Sequence, residues 1–201
     1  MKKIFLIPFM LLAFCVLQCI GSVPGEAAIE GALWDLHNKK YYLKCNLHVD
    51  PNRHKLSSVN YQLRGYLLTW GTPVKIVEIH RNKVLLQDLD TEKEYYYEFH
   101  WRTRKATSLK THLMRILTTD LEALKKQVSL LQQVDHDGIY KGLVLKGMTR
   151  KGVLVAIGYP PEFVNKSLMK EKQWHYWFNR NSKFHVSFDQ QGKVYEINGT
   201  Y

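Results

Sequence analysis

Hydrophobic and polar residues alternate with a period of two over much of residues 41–100, and turn-forming residues interrupt this alternation at short intervals. In "KEYYYEF", for example, Tyr95, Tyr97 and Phe99 fall on one face of a strand, because side chains alternate across a strand. Short strands separated by frequent turns are typical of a small closed or nearly closed barrel. We therefore predict a β-rich domain over residues 28–105.

The hydrophobic period then changes to that of a helix. Leu109 and Leu113 belong to an apolar stripe at helical spacing, which predicts a helix that faces a core. Thr119 starts a second predicted helix, because a glutamate follows it three residues later in a capping-box arrangement. The stretch "DHDG" (135–138) is expected to end that helix, so residues 106–136 form a predicted helical connector.

Residues 137–201 combine a short helix with three predicted strands. Thr149 can cap the helix, and Gly158 permits the left-handed conformation that ends it. Trp174 and Tyr176 lie on an alternating strand, and "FHVSFD" and "KVYEI" give two more strands, joined by the four-residue turn "DQQG". This order predicts a two-layer α+β domain, with helices packed on one face of a three-stranded antiparallel sheet.

This C-terminal stretch resembles the BamE (SmpA/OmlA) family, whose pattern runs Gly-Met-Thr, an apolar helix, Leu/Ile-Gly-x-Pro, Trp-x-Tyr and Phe-Asp…Gly-Lys-Val. The resemblance covers about residues 139–198. It implies a small, non-enzymatic envelope protein that supports assembly or integrity of the outer membrane. Gly152 departs from the family pattern, because a glutamine or glutamate often completes the helix cap there. The matching positions are Gly147, Met148, Thr149, Val153, Ile157, Gly158, Pro160, Trp174, Tyr176, Phe188, Asp189, Gly192, Lys193 and Val194.

The upstream segment 60–79, "NYQLRGYLLTWGTPVKIVEI", resembles an SH3-like barrel of the bacterial kind. Together the two resemblances imply an SH3-like barrel, a helical connector and a two-layer C-terminal domain. The expected fold class of the whole chain is therefore α+β.

Residues 1–27 predict the compartment. Two lysines precede an almost wholly apolar run over residues 4–20, and small side chains suit cleavage after Ala27. This pattern is typical of a secretory signal peptide, so we expect an exported protein, periplasmic or attached to the periplasmic face of the outer membrane. Two alternatives stay open: an uncleaved membrane anchor, or a lipoprotein acylated at Cys15 or Cys19.

The formal net charge of +11 at pH 7 bears on partners rather than on fold. Nucleic acid is not expected as the partner of an exported chain, whereas anionic lipid headgroups and peptidoglycan are available in the envelope. The densest basic cluster is "HWRTRK" (100–105). A solvated surface is the simpler explanation for the remaining lysines and arginines, because they are scattered.

No pattern of residues predicts catalysis. The nine histidines are dispersed, and the sequence lacks the usual nucleophile-elbow, metalloprotease and phosphate-loop motifs. A zinc site at His48, Asp50 and His54 lacks a fourth ligand, so a solvated loop is the simpler interpretation. Cys45 lies on a predicted strand without a histidine partner and is expected to be a small buried side chain. We therefore predict no catalytic residue, no cofactor and no metal site.

Aromatic and basic residues near the C terminus are the best candidates for partner contact. Trp177 is expected on the outer face of its strand, near Arg180, and these two residue types are enriched at interface hot spots. Tyr159 and Phe163 flank a Pro-Pro loop and are further candidates. The competing interpretation is that these aromatic rings cover a domain edge or a joint between domains.

Three functional hypotheses follow. The leading one is a non-catalytic scaffold or adaptor that binds an envelope protein complex. The alternative is a module that binds peptidoglycan or anionic lipid through the basic N-terminal barrel. An envelope hydrolase or metal-dependent enzyme is the weakest of the three, and the oligomeric state stays undetermined.

Overall fold

The computed structural model describes residues 33, 35–62, 65–165 and 167–199, so the predicted leader and its cysteines lie outside the described residues. Within these ranges the chain is mixed α+β, with a curled six-stranded sheet, a three-stranded antiparallel sheet, a two-stranded sheet and five helices. The predicted α+β class is confirmed. No helix in these ranges is long and apolar enough to cross a membrane.

The strands and helices of the described chain are numbered here in sequence order. The strands are β1 (Lys40–Leu43), β2 (Leu47–Val49), β3 (Lys55–Ser57), β4 (Tyr66–Leu68), β5 (Pro73–His80), β6 (Lys83–Asp88), β7 (Glu94–Glu98), β8 (Leu117–Thr118), β9 (Gln173–Trp177), β10 (Lys183–Phe188) and β11 (Val194–Gly199). The helices are α1 (Trp101–Ala106), α2 (Leu109–Ile116), α3 (Leu121–Ser129), α4 (Gln133–Lys141) and α5 (Arg150–Ile157).

The six-stranded sheet has the order β3-β7-β6-β5-β1-β8, and all its pairs are antiparallel except β3 with β7. A break in register between Ile76 and Glu78 on β5 adds local twist, because a bulge bends the strand that carries it. Tyr95, Tyr97 and Phe99 are all buried in the core of this sheet. Their predicted position on one face is confirmed.

Helix α2 packs on this core as its sequence predicts. The Ser108 side chain caps it by accepting a hydrogen bond from the Thr111 N–H at 3.1 Å. Leu109 and Leu113 are both buried, so the apolar stripe faces the core.

The predicted start of the next helix is wrong by one residue. The N-cap of α3 is Asp120, whose carboxylate accepts a hydrogen bond from the Ala123 N–H at 2.8 Å. A carboxylate is stabilised at this end by the positive end of the helix dipole, in addition to the hydrogen bond that a threonine could make. Thr119 precedes the cap, and α3 ends at Ser129.

The prediction that residues 135–138 end a helix is also wrong, because they lie inside α4. Gly138 serves close packing there: a Cβ on it would come within 2.4 Å of the Met148 sulfur. Helix α4 ends instead at Gly142, which has a positive φ of 63°. The predicted limit between connector and C-terminal domain, at 136/137, falls within this helix.

Asp135 on α4 anchors the start of α5. Its carboxylate accepts hydrogen bonds from the Thr149 N–H at 2.7 Å and from the Thr149 hydroxyl at 3.1 Å. Thr149 in turn accepts a hydrogen bond from the Gly152 N–H at 3.0 Å, which confirms the predicted cap. A Cβ on Gly152 would lie 2.0 Å from Asp135 Oδ1, so glycine is needed to admit this carboxylate.

The three-stranded sheet has the order β11-β10-β9 and lies under α3, α4 and α5. Trp174 and Tyr176 are fully buried in its core, and the Tyr176 hydroxyl donates a hydrogen bond to the Gly158 carbonyl at 3.1 Å. The predicted antiparallel meander with helices on one face is confirmed.

Two buried asparagines join the two cores. Asn46 donates hydrogen bonds from its amide to the Ile139 carbonyl at 2.8 Å and the Ala156 carbonyl at 3.0 Å. Asn60 donates to the Ile157 carbonyl at 2.8 Å. These bonds connect the N-terminal strands with the last turns of α4 and α5, so the two sheets are held in a fixed relation.

Candidate binding site

A pocket of about 390 Å³ lies where the two sheets meet. It is formed by the end of β7, helix α1, the loop after α5 and the end of β9. We call it the joint pocket. Its lining residues are Val59, Tyr61, Glu98, His100, Trp101, Arg102, Phe163, Trp177 and Arg180.

Trp177 forms the aromatic floor of the joint pocket. It lies on the outer face of β9, as the alternation predicts, but its side chain is only 5% exposed. The Phe163 ring covers it at a centroid distance of 5.5 Å, and the Trp177 carbonyl accepts a hydrogen bond from the Gln62 N–H at 3.0 Å. The expectation that Trp177 projects outward is therefore corrected: it borders a concave surface that the N-terminal part of the chain helps to form.

Two arginines give the joint pocket a positive rim. Arg102 and Arg180 are both exposed, and neither forms an ion pair with a side chain in the described ranges. The Arg102 guanidinium instead lies 5.1 Å from the centre of the Trp101 ring. Glu98, the one acidic lining residue, is paired with Lys55 at 2.6 Å.

His100 lines the joint pocket together with Glu98, Arg102 and Arg180. Burial lowers its pKa from the ordinary value, and Arg102 and Arg180 lower it further against the opposing effect of Glu98. The imidazole is therefore neutral at pH 7, and the positive charge of the joint pocket comes from the guanidinium groups.

A second groove, of about 650 Å³, continues from the joint pocket. The two share Tyr61, Glu98 and Arg180, and the groove extends along the loop at 48–57 toward Phe178. Together they form one elongated cleft, with room for an extended segment rather than a single small group.

Tyr159 does not belong to this cleft. It lines a separate pocket of about 350 Å³ together with Lys44, Met169 and residues of α3 and α5. The structure thus brings together three of the four predicted contact residues, Phe163, Trp177 and Arg180, and places Tyr159 apart from them.

A polar network that was not predicted from the sequence adjoins the loop that carries Phe163. The His112 ring contacts the Tyr97 hydroxyl at 2.6 Å through Nε2 and the Glu162 carboxylate at 2.7 Å through Nδ1. Arg115 contacts the same carboxylate oxygen at 3.1 Å. We call these four residues, Tyr97, His112, Arg115 and Glu162, the His112 network. No sequence motif predicts the His112 network, because its members come from β7, α2 and the loop after α5.

The His112 network positions a loop rather than a substrate. His112 is 3% exposed and Glu162 is 6% exposed. Burial alone raises the pKa of Glu162, but the hydrogen bond and charge of His112, with Arg115, outweigh it and hold the pKa below its ordinary value. Glu162 therefore stays ionised and ties the loop that carries Phe163 to α2.

The candidate metal-site residues His48, Asp50 and His54, and the thiol of Cys45, do not line the joint pocket. His48 is on β2 and His54 adopts a positive φ of 46° in the following turn. In the part of the chain that the structure describes, no group of three or more His, Cys, Asp or Glu side chains could hold a metal ion. Burial raises the pKa of Cys45 to about 12, so its thiol is protonated at neutral pH.

No protein-family model matches the chain, and no curated protein or solved structure matches it.

Proposed function

We propose that this chain is a non-catalytic, exported binding protein of the bacterial cell envelope, and that the joint pocket holds a segment of a protein partner. One observation carries the proposal: Phe163, Trp177 and Arg180, chosen from the sequence as contact residues, line the same concave surface. Aromatic side chains and arginine are enriched among the residues that dominate binding at protein interfaces.

The charges of the cleft define the chemistry of that segment. Arg102 and Arg180 are exposed and carry no ion pair within the described ranges, so an incoming carboxylate can pair with either without breaking an existing ion pair. The rings of Phe163 and Trp101 offer apolar surface next to them. A segment with an acidic residue beside an apolar or aromatic one fits both features.

A non-catalytic role is supported by the burial of the reactive groups. Cys45 is buried and protonated, and the His112 imidazole is enclosed between Tyr97 and Glu162. A general base must lie within hydrogen-bond reach of a substrate, and His112 has no access to the cleft surface. His100 does line the joint pocket, but its ring packs against the rings of Trp101 and Phe163, and its Nδ1 accepts a hydrogen bond from the Arg102 backbone N–H at 3.3 Å.

The proposed setting is the envelope, at assembly or maintenance of the outer membrane. It is supported by the signal-peptide pattern of residues 1–27 and by the BamE-like pattern of residues 139–198. The SH3-like and BamE-like identities of the two halves are part of this proposal.

In-cell photo-crosslinking tests the proposal. A photoreactive residue at Trp101, which is 49% exposed on the rim, should trap one envelope protein. The same probe at Lys125, an exposed residue on α3, should not trap it. Arg180→Glu should abolish the Trp101 product. Identical products at both positions, or a product that survives Arg180→Glu, would contradict the proposal.

A second candidate function is binding of an anionic polymer or lipid. The basic cluster of α1 favours it, because Arg102, Arg104 and Lys105 are all exposed beside the joint pocket. Binding of this kind would weaken as the salt concentration rises, because it depends on exposed charges. Sedimentation with peptidoglycan sacculi and with phosphatidylglycerol vesicles, at low and high salt, separates it from the first candidate.

A further inference from the structure

Two histidines face each other on the outer surface of the three-stranded sheet. His175 on β9 and His185 on β10 are directly paired in the antiparallel register. Their Nδ1 atoms are 2.6 Å apart, and the rings meet edge to face with centroids 4.5 Å apart. Both side chains are partly exposed, so an ion can reach them from solvent.

One amide side chain lies in the same cross-strand row as the pair. Asn198 on β11 is paired with His185 and is exposed, so its side chain lies in the same row across the sheet. The Lys183 ammonium lies 5.0 Å from the centre of the Trp177 ring.

We propose that His175 and His185 bind one divalent transition-metal ion of the kind that prefers imidazole, such as Zn²⁺, Cu²⁺ or Ni²⁺. Neutral imidazole is a common ligand for these ions. Each ring would carry its proton on Nε2 and offer the Nδ1 lone pair to the ion.

The geometry needs only a small adjustment. Zinc–nitrogen bonds of about 2.0–2.1 Å in tetrahedral geometry place two ligand nitrogens roughly 3.3 Å apart. The Nδ1 atoms, now at 2.6 Å, would separate by less than about 1 Å, which side-chain rotation on a sheet surface can supply. Because no third His, Cys, Asp or Glu converges on the pair within the described chain, water would fill the remaining positions.

Titration calorimetry of the full chain without an affinity tag tests this site. Zinc chloride added at neutral pH should bind with one saturable equivalent, and His185→Ala should remove that binding. His80→Ala is the matched control, because His80 is an exposed strand histidine whose ring pairs with the Glu78 carboxylate at 3.0 Å. It should leave the titration unchanged.

A second readout guards against a folding defect in the alanine variant. His175→Gln keeps a polar side chain of similar size, and circular dichroism would verify its fold. The thermal midpoint of the wild type should rise on addition of zinc, while that of His175→Gln should not. Absence of saturable zinc binding by the wild type, or equal binding by the wild type and both variants, would overturn the proposal.

Discussion

The joint pocket and the His112 network share one loop, since Glu162 and Phe163 are consecutive. The charged groups of these two regions differ in burial and in pairing. Glu162 is 6% exposed and contacts both His112 and Arg115. Arg180, across the pocket, is exposed and carries no ion pair within the described ranges. A buried charged group is tolerated only when it is paired, whereas an exposed charged group is solvated and needs no partner in the protein. The buried charge of Glu162 therefore maintains the fold, and the exposed charge of Arg180 is available for binding.

The most severe test of this comparison is Glu162→Ala. It leaves the buried His112 and the adjacent Arg115 without their acceptor, so we expect the free energy of unfolding to fall by about 3–5 kcal/mol. Urea denaturation measures the change. Glu122→Ala is the control, because the Glu122–Lys125 pair is exposed and should contribute less than about 1 kcal/mol. Equal losses of unfolding free energy in the two variants would contradict the distinction between buried and exposed charges.

A second buried carboxylate extends the comparison. Asp135 holds the N terminus of α5, and Gly152→Ala would place a Cβ 2.0 Å from its Oδ1. We expect a loss of about 1–3 kcal/mol from this overpacking, although alanine favours a helix over glycine. The control is Lys151→Ala, at the exposed neighbouring position on the same helix. A gain in the thermal midpoint of Gly152→Ala would contradict the assigned contact.

The pH dependence of stability provides a smaller, directional test. The pKa of Glu162 is lower in the folded chain than its ordinary value. The stabilisation is therefore complete above the unfolded pKa and is lost as the pH falls through the folded pKa. Between about pH 6 and about pH 3, wild-type urea midpoints should fall more steeply than those of Glu162→Gln, which cannot ionise. Parallel curves would show that this carboxylate does not contribute to acid sensitivity.

The smallest expected change in stability is that of Arg180→Glu. The side chain is exposed and unpaired within the described ranges, so the free energy of unfolding should stay within about 0.5 kcal/mol of wild type. The crosslink from Trp101 should nevertheless be lost. A large loss of stability would mean that Arg180 stabilises the fold, as Glu162 does. It would contradict the distinction between the two regions.

Several elements follow from local sequence because their causes are local. The face shared by Tyr95, Tyr97 and Phe99 depends only on the two-residue period of a strand. The cap at Thr149 depends on a side chain that reaches an N–H three residues away. Helix ends were less predictable where a neighbour competes, as at Asp120 beside Thr119, or where a glycine serves packing, as at Gly138 against Met148.

The site was predictable only in part. Residue type and strand alternation singled out Phe163, Trp177 and Arg180, but no spacing reveals that β7 and α1 complete the pocket around them. The missed network joins His112 to Glu162, 50 residues apart. Neither residue stands in a recognisable motif.

The sequence by itself therefore determined the α+β class, the buried faces and the helix cap at Thr149, because hydrophobic periodicity and capping bonds act over three or four residues. Only the tertiary structure decided which polar groups meet: Asp135 with Thr149, His112 with Glu162, and His175 with His185. It also decided that Trp177 is covered while Arg180 stays exposed. Such pairings depend on how separate elements dock, and docking is fixed by the whole core rather than by neighbouring residues.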